Sequence, residues 1–177
     1  PGVDQPSPVS KQEARRLLNL PPNNPLVLFV GRLVKVKRPD RLLEAFRLVH
    51  EQVPDSILII AGEGELIDET RSTAKPLGKS VRFLGWYPDP GNLYAAADIV
   101  LITSDNEGMP LTLIEAAMAS RTCVTTNVGS AREVVKDGET GYVVAAEADA
   151  IANRVIAILS DPDRRAAMET AARNHAE

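Results

Sequence analysis

Two carboxylates stand eight residues apart in the stretch SDNEGMPLTLIEAAMAS at 104–120: Glu107 just before a helical run, Glu115 inside it. The run from Pro110 is apolar nearly all round, with Leu111, Leu113, Ile114, Ala116, Ala117 and Met118, which predicts a helix buried on every side. Thr112 and Glu115 are three apart and share one face of it. A carboxylate in such a helix needs a partner. No Lys or Arg occupies the neighbouring helical positions 111, 112, 118 or 119. Glu115 therefore pairs with a base distant in sequence or faces a ligand rich in hydroxyls. Gly108 and Met109 would present free backbone N–H groups at the helix N-terminus, where the positive field suits a phosphate. The chemistry this allows is a phosphate held between two acceptor carboxylates, each able to take hydroxyls on its own side.

A second feature is a basic island. Arg32, Lys35, Lys37, Arg38, Arg41 and Arg47 fall within sixteen residues that hold two acids, Asp40 and Glu44. That segment is +4 in a chain of net charge −4, so the remainder carries −8. Such an island reads as a site for one small anion or as a solvated helix face. The acidic balance argues against nucleic acid as the main partner. Cys123, the single cysteine, excludes an internal disulfide and a multi-cysteine metal site, and it reads as core packing in a strand. His50 and His175 lie near helix ends, away from every motif. Trp86 reads as a rim residue, with stacking on a nucleobase as its functional alternative.

These residues need a frame to position them. The 177 residues are 44% hydrophobic and 25% charged, which excludes a disordered chain and fits one soluble domain. The longest apolar runs, LVLFV at 26–30 and ILIIA at 57–61, have five residues, whereas a membrane span needs roughly 20. Residues 1–10 show no basic start with a following apolar stretch, so no signal peptide is read there. Ser10 and Glu13 form a capping-box pattern ahead of a short helix that stops before Pro21. From 26 onward, short apolar runs alternate with helical patterns: strands at 26–30, 56–61, 80–84, 99–103, 122–125 and 140–144, with helices between and two closing helices at 147–159 and 163–175. This predicts an α/β fold, a Rossmann-like doubly wound parallel sheet of about six strands with helices on both faces. Ligands in such sheets sit beyond the carboxyl ends of the strands, here Gly31-Arg32, Gly62–Gly64, Gly85-Trp86, Ser104–Gly108 and Asn127–Ser130.

The Glu107-x7-Glu115 spacing with GMPLTLIEA inside it resembles the signature of family-4 glycosyltransferases, retaining sugar-nucleotide enzymes of the two-domain GT-B fold. FVGRLVKVKRPDRLLEAF at 29–46, IIAGEGE at 59–65, VRFLGW at 81–86 and the run from Ala96 to Val144 resemble further family segments in the same order. The resemblance covers about residues 20–160. It implies that Arg32 and Lys37 bind the donor diphosphate together with Gly108, Met109, Pro110 and Leu111. Glu107 would be the catalytic-site carboxylate that positions the transferred sugar, Glu115 would hold the ribose, and the backbone at Arg82 and Phe83 would lie near the base. The implied substrate is a nucleoside-diphosphate sugar, with no cofactor and no metal.

Three positions depart from the family pattern. Arg38 stands where Gly is usual, Met109 where Phe is commoner, and Ser130-Ala131-Arg132 where Gly-Ile-Pro is typical. Pro1 to Asp4 resembles the end of the segment that leads out of the family's N-terminal, acceptor-binding domain. The expected organisation is a linker and short helix at 1–20, a donor-binding domain at 21–160, and at 161–177 a helix truncated or crossing toward an absent N-terminal domain. Such a fragment would be cytoplasmic, with any membrane contact made through the absent domain, and inactive alone. The expected partners are the nucleotide-sugar donor and that missing domain, with no nucleic acid. A non-catalytic nucleotide-binding or assembly module is the alternative. A Rossmann dehydrogenase is disfavoured because GRLVKV replaces the glycine-rich turn, and a glycosidase because a phosphate site would lie between the carboxylates.

Overall fold

The computed structural model describes residues 9–177. Of the linker and short helix expected at 1–20, residues 1–8 lie outside the described residues. Six strands form one parallel sheet: β1 (Leu26–Val30), β2 (Ile57–Ala61), β3 (Val81–Gly85), β4 (Ile99–Ile102), β5 (Thr122–Thr126) and β6 (Gly141–Val144). Around it lie α1 (Lys11–Leu17), α2 (Pro39–Gln52), α3 (Ile67–Ala74), α4 (Pro90–Ala96), α5 (Leu111–Met118), α6 (Ala131–Val134), α7 (Ala148–Leu159) and α8 (Pro162–Ala176).

The unbroken apolar strands follow from burial on both faces. Val27 and Phe29 of β1 point into one core with Leu42 and Phe46 of α2 and Val155 and Ile158 of α7. Leu26 and Leu28 point into the other, with Ala14 of α1, Tyr94 of α4 and Leu113 of α5. The strand order is β3-β2-β1-β4-β5-β6. The chain winds outward in one direction from β1 to β3, then returns to pair β4 on the other side of β1. The connections after β1 and β4 thus part to opposite sides and open a crevice at their carboxyl ends.

One local feature differs from the sequence expectation. Ser10 accepts the Glu13 N–H at 3.1 Å, but the Glu13 carboxylate turns to Arg16, so only half of the capping box forms. The connection Leu20–Pro25 carries no helix or strand and is pinned by a buried side chain. Buried Arg15 donates to the carbonyls of Pro22 at 3.0 Å, Asn24 at 2.8 Å and Ala96 at 3.0 Å, and to the Asp98 carboxylate at 3.0 Å. Asp98 also accepts from Lys11 at 2.6 Å and from the Leu26 N–H at 2.9 Å. This node ties α1 to the start of β1 and β4.

Burial pushes the Asp98 carboxyl up, but Lys11, the Leu26 N–H and Arg15 outweigh it and hold the group below the usual carboxylate range. A lowered folded value means that the stabilisation is complete above the ordinary Asp value of about 3.9 and is lost as pH falls from there through the folded value. Asp98→Ala strands Arg15 without its anion, and the expected loss is about 3–5 kcal/mol. Urea unfolding at pH 7 and pH 3 checks both statements: the gap between parent and variant should be large at pH 7 and should shrink at pH 3.

Candidate functional site

The crevice at the switch point is built by backbone before any side chain enters it. Leu33 N–H donates to the Glu63 carbonyl at 3.0 Å and Leu66 N–H to the Leu33 carbonyl at 2.9 Å, so the loop after β1 is laced to the loop after β2. Gly62, at φ 148°, allows this, since a Cβ there would lie 1.8 Å from the Gly31 oxygen. On the other side, Asp105 N–H donates to the Val36 carbonyl at 2.9 Å, and the Thr103 hydroxyl donates to the Lys37 carbonyl at 3.1 Å. The turn Lys35–Lys37 is thereby fastened to the end of β4.

Arg38, standing where glycine is usual, has φ 54° and ψ 59° at the N-cap of α2. This left-handed backbone explains the usual glycine. Here its guanidinium bonds Asp40 at 2.9 Å and Asp105 at 3.2 Å, while Arg41 bonds Asp105 at 2.9 Å and the Thr103 carbonyl at 2.9 Å. Arg47 pairs with Glu44 and Glu51 on the solvent face of α2. The basic island therefore dissolves into local pairs. Among the described residues Arg32 and Lys35 make no ion pair, and Lys37 pairs with Glu107.

Lys37 and Glu107 meet across a cavity of about 190 Å³, walled by Val30, Ser104 and Met109 to Thr112. The same carboxylate oxygen, Oε1, takes both the Lys37 ammonium and the Ser104 hydroxyl, the latter at 2.8 Å. Ser104 is fixed in turn, since its carbonyl accepts from the Thr126 hydroxyl at 2.7 Å. Among the described residues Glu107 Oε2 meets no donor, and the N–H groups of Gly108 and Met109 meet no acceptor. The Leu111 N–H is taken by the Met109 carbonyl at 3.0 Å, and Pro110 has no N–H to offer.

The loop after β5 lies directly on these residues. Gly129, at φ 49°, would place a Cβ 2.1 Å from the Glu107 carbonyl oxygen and 2.3 Å from that of Gly108. Gly129→Ala should displace residues 107 and 108 and cost about 1–3 kcal/mol. Denaturant unfolding is the measurement; an unchanged midpoint would mean that the two loops can part freely.

Helix α5 is not buried all round. Leu113, Ala116 and Ala117 are buried, but Leu111 is 63% exposed, Met118 46%, and Met109 ahead of the helix 66%. Among the described residues nothing covers the outer side of the helix, so Leu111, Met118 and Glu115 look outward. The partner of Glu115 is not a base: the buried Tyr94 hydroxyl donates to its Oε2 at 2.8 Å. Tyr94 and Ser104 are the two residues that the sequence reading missed. Ser104, three before Glu107 at a strand end, was within reach of inspection; Tyr94, twenty-one before Glu115, carries no local signal.

The structure thus brings Lys37, Glu107, Met109, Pro110 and Leu111 around one cavity; Gly108, between two of them in sequence, does not line it. Arg32 is exposed in the loop after β1, and Glu115 lies farther along α5. Arg82 and Phe83 are not part of the cavity: Arg82 donates to the Asn19 carbonyl at 3.2 Å, and the Phe83 ring lies 4.7 Å from the Arg71 guanidinium. They sit on edge strand β3, with one side of the backbone ladder unpaired. A larger cleft of about 540 Å³ lies between α2 and α3, where Arg38 is already neutralised by Asp40 and Asp105. Burial pushes the Cys123 thiol up to about 12, which suits packing rather than reactivity. Among the described residues no three His, Cys, Asp or Glu gather as a metal site.

Comparison with known proteins decides the family. The model of the glycosyl transferases group 1 matches residues 10–175. The chain belongs to that family. Among curated relatives of this group 1 chain, the D-inositol 3-phosphate glycosyltransferase of Corynebacterium aurimucosum is 36% identical, over 100% of this chain and 44% of that protein. The Escherichia coli UDP-Gal:alpha-D-GlcNAc-diphosphoundecaprenol alpha-1,3-galactosyltransferase is 30% identical, over 82% and 39%. The group 1 chain therefore spans less than half the length of these relatives. Among solved structures, Anabaena HepE in complex with UDP-glucose superposes with a TM-score of 0.86 at 27% identity, over 97% of this chain and 48% of that one. The C-terminal domain of LpcC, a group 1 protein from Francisella tularensis, superposes with a TM-score of 0.84 at 25% identity, over 94% and 90%. The six-stranded Rossmann-like sheet is that of GT-B neighbours.

Proposed function

We propose that this chain is the donor-binding portion of a retaining, family-4 glycosyltransferase, which holds a nucleoside-diphosphate sugar while an acceptor-binding domain presents the acceptor. The observation that carries this reading is how the two carboxylates are held. Each has one oxygen taken by protein donors, Lys37 and Ser104 for Glu107 and Tyr94 for Glu115, and each keeps the other oxygen for a ligand. Two acceptors fixed in this way suit a ligand with hydroxyls at both ends. To the diphosphate we assign the cations Arg32 and Lys37 and the N–H groups of Gly108 and Met109, with Pro110 and Leu111 shaping the turn. Glu107 then positions the transferred sugar, Glu115 holds the ribose, and the open backbone edge near Arg82 and Phe83 faces the base. No residue in this set requires a metal or cofactor for binding.

Relatives support the substrate class without naming the base. One is described by UDP-Gal and another, from Corynebacterium glutamicum, as GDP-mannose-dependent. A thermal-shift panel of UDP-, GDP- and ADP-sugars tests the reading; no stabilisation by any of them would refute it. No helix among the described residues is long and apolar enough to cross a membrane, so we assign any membrane contact to the acceptor portion.

The two carboxylates give a sharper expectation. Glu115→Gln should weaken both the free nucleoside diphosphate and the sugar nucleotide, because both contain ribose. Glu107→Gln should weaken only the sugar nucleotide. The expected loss is about 1.5–3 kcal/mol in each case, the scale of a hydrogen bond to a charged group. Calorimetry with the two ligands decides it, and equal losses for both ligands in both variants would contradict the assignment.

A further inference from the structure

The reading of Glu115 as the ribose carboxylate leaves open what keeps it in place. Its side chain has three rotatable bonds and lies on an exposed face, where water would let it sample many rotamers. Resting on that reading, we propose that Tyr94 is a positioning residue for the donor ribose: its phenol fixes one oxygen of Glu115 so that the other faces the ribose hydroxyls.

The geometry makes the phenol a fixed point. Tyr94 is 2% exposed, and its ring is part of the core with Leu93, Leu113 and Cys123. Its own carbonyl accepts from Arg121 Nε at 2.8 Å, and Arg121 also bonds the Ala95 carbonyl at 3.3 Å and Glu169 of α8 at 3.2 Å. The ring is thus held by packing at one end and by a braced helix terminus at the other. Its hydroxyl is the polar atom at the end of that strut and reaches Glu115 Oε2 at 2.8 Å. Burial, together with the neighbouring carboxylate, pushes the phenol well above its ordinary value, so it keeps its proton and always donates. A carboxylate already oriented by a buried donor gives up little conformational freedom when ligand arrives, and the saving appears as affinity. A phenol that only satisfied itself would have no effect on how the chain tells one sugar ring from another.

That difference is the test. Tyr94→Phe removes one oxygen and keeps the ring. Binding is measured by calorimetry with UDP and 2′,3′-dideoxy-UDP, or with the matching GDP or ADP pair if the panel selects that base. The parent should prefer the ribose form. Tyr94→Phe should bind the ribose form about five- to tenfold more weakly, leave the dideoxy form unchanged, and melt within about 2–4 °C of the parent. In a Glu115→Gln background it should add nothing. If Glu115→Gln loses the ribose preference while Tyr94→Phe keeps it, the positioning role is wrong and the ribose site stands. If Glu115→Gln keeps the preference, Glu115 does not hold ribose and both readings fall.

Discussion

Lys37→Ala is expected to weaken nucleoside-diphosphate binding by about 1.5–3 kcal/mol, roughly 10- to 150-fold, while a nucleoside without phosphate binds as before. Two effects add. The variant loses one charge-assisted bond to the diphosphate. It also leaves the Glu107 carboxylate, whose side chain is 13% exposed, with Ser104 as its remaining donor beside an incoming anion. A partly desolvated negative charge next to phosphate is repulsive. Glu107→Gln in the Lys37→Ala background should therefore recover part of the loss for the free diphosphate. Arg32→Ala should act in the same direction with a smaller effect, because Arg32 is exposed and water screens its charge. Salt separates the two: the Arg32 contribution should fade as ionic strength rises, and the shielded Lys37 contribution should persist. Calorimetry at low and high salt measures this. If Arg32→Ala and Lys37→Ala both bind the diphosphate as the parent does, the clamp lies elsewhere in the crevice.

The parts of this molecule that were legible in the sequence are those encoded by neighbours along the chain. Runs such as LVLFV and ILIIA declare strands buried on both faces, and each lies within a residue or so of its observed bounds. The Glu107–Glu115 pair was legible because eight residues join a strand-end loop to the helix that follows it. What was hidden depends on how distant segments dock. The Arg15–Asp98 node spans 83 residues and exists only because α1 lies across the start of β4. Tyr94 meets Glu115 only because α4 and α5 share a face of the sheet. Helix α5 shows a different failure. Its composition is that of an interior helix, yet among the described residues nothing covers its outer side, and Leu111 and Met118 look outward. Periodicity reports how apolar a face is and cannot report whether anything in the same chain covers it. Which members of the basic island are neutralised was hidden for a related reason, because Asp105, which pairs with Arg38 and Arg41, arrives from the loop after β4.

The chain by itself is expected to bind a sugar nucleotide and transfer no sugar. Transfer requires an acceptor hydroxyl held in line with the donor, and that positioning can be worth ~7–11 kcal/mol of barrier. The cavity between Lys37 and Glu107 is about 190 Å³, and the exposed Met109 and Leu111 that line it leave one wall open to water. Affinity should also be lower than in a two-domain enzyme, since open solvent weakens every electrostatic contact to the diphosphate. A labelled-donor assay should compare the chain with the two-domain enzyme to which we assign it, across several acceptors. Turnover at equal rates would mean that the chemistry is complete within these residues, and a base would have to be found among Glu107, Asp105 and Glu63. The structure already weighs against one of them. Desolvation pushes the Asp105 carboxyl up, but Arg41 and Arg38 more than reverse this and hold it below the usual range, which makes it a poor proton acceptor. Glu63 is exposed beside Gly85, at the end of edge strand β3 and away from the cavity. Glu107 would remain, with Lys37 and Ser104 on its Oε1, so that the proton would have to go to Oε2, the oxygen that meets no donor among the described residues.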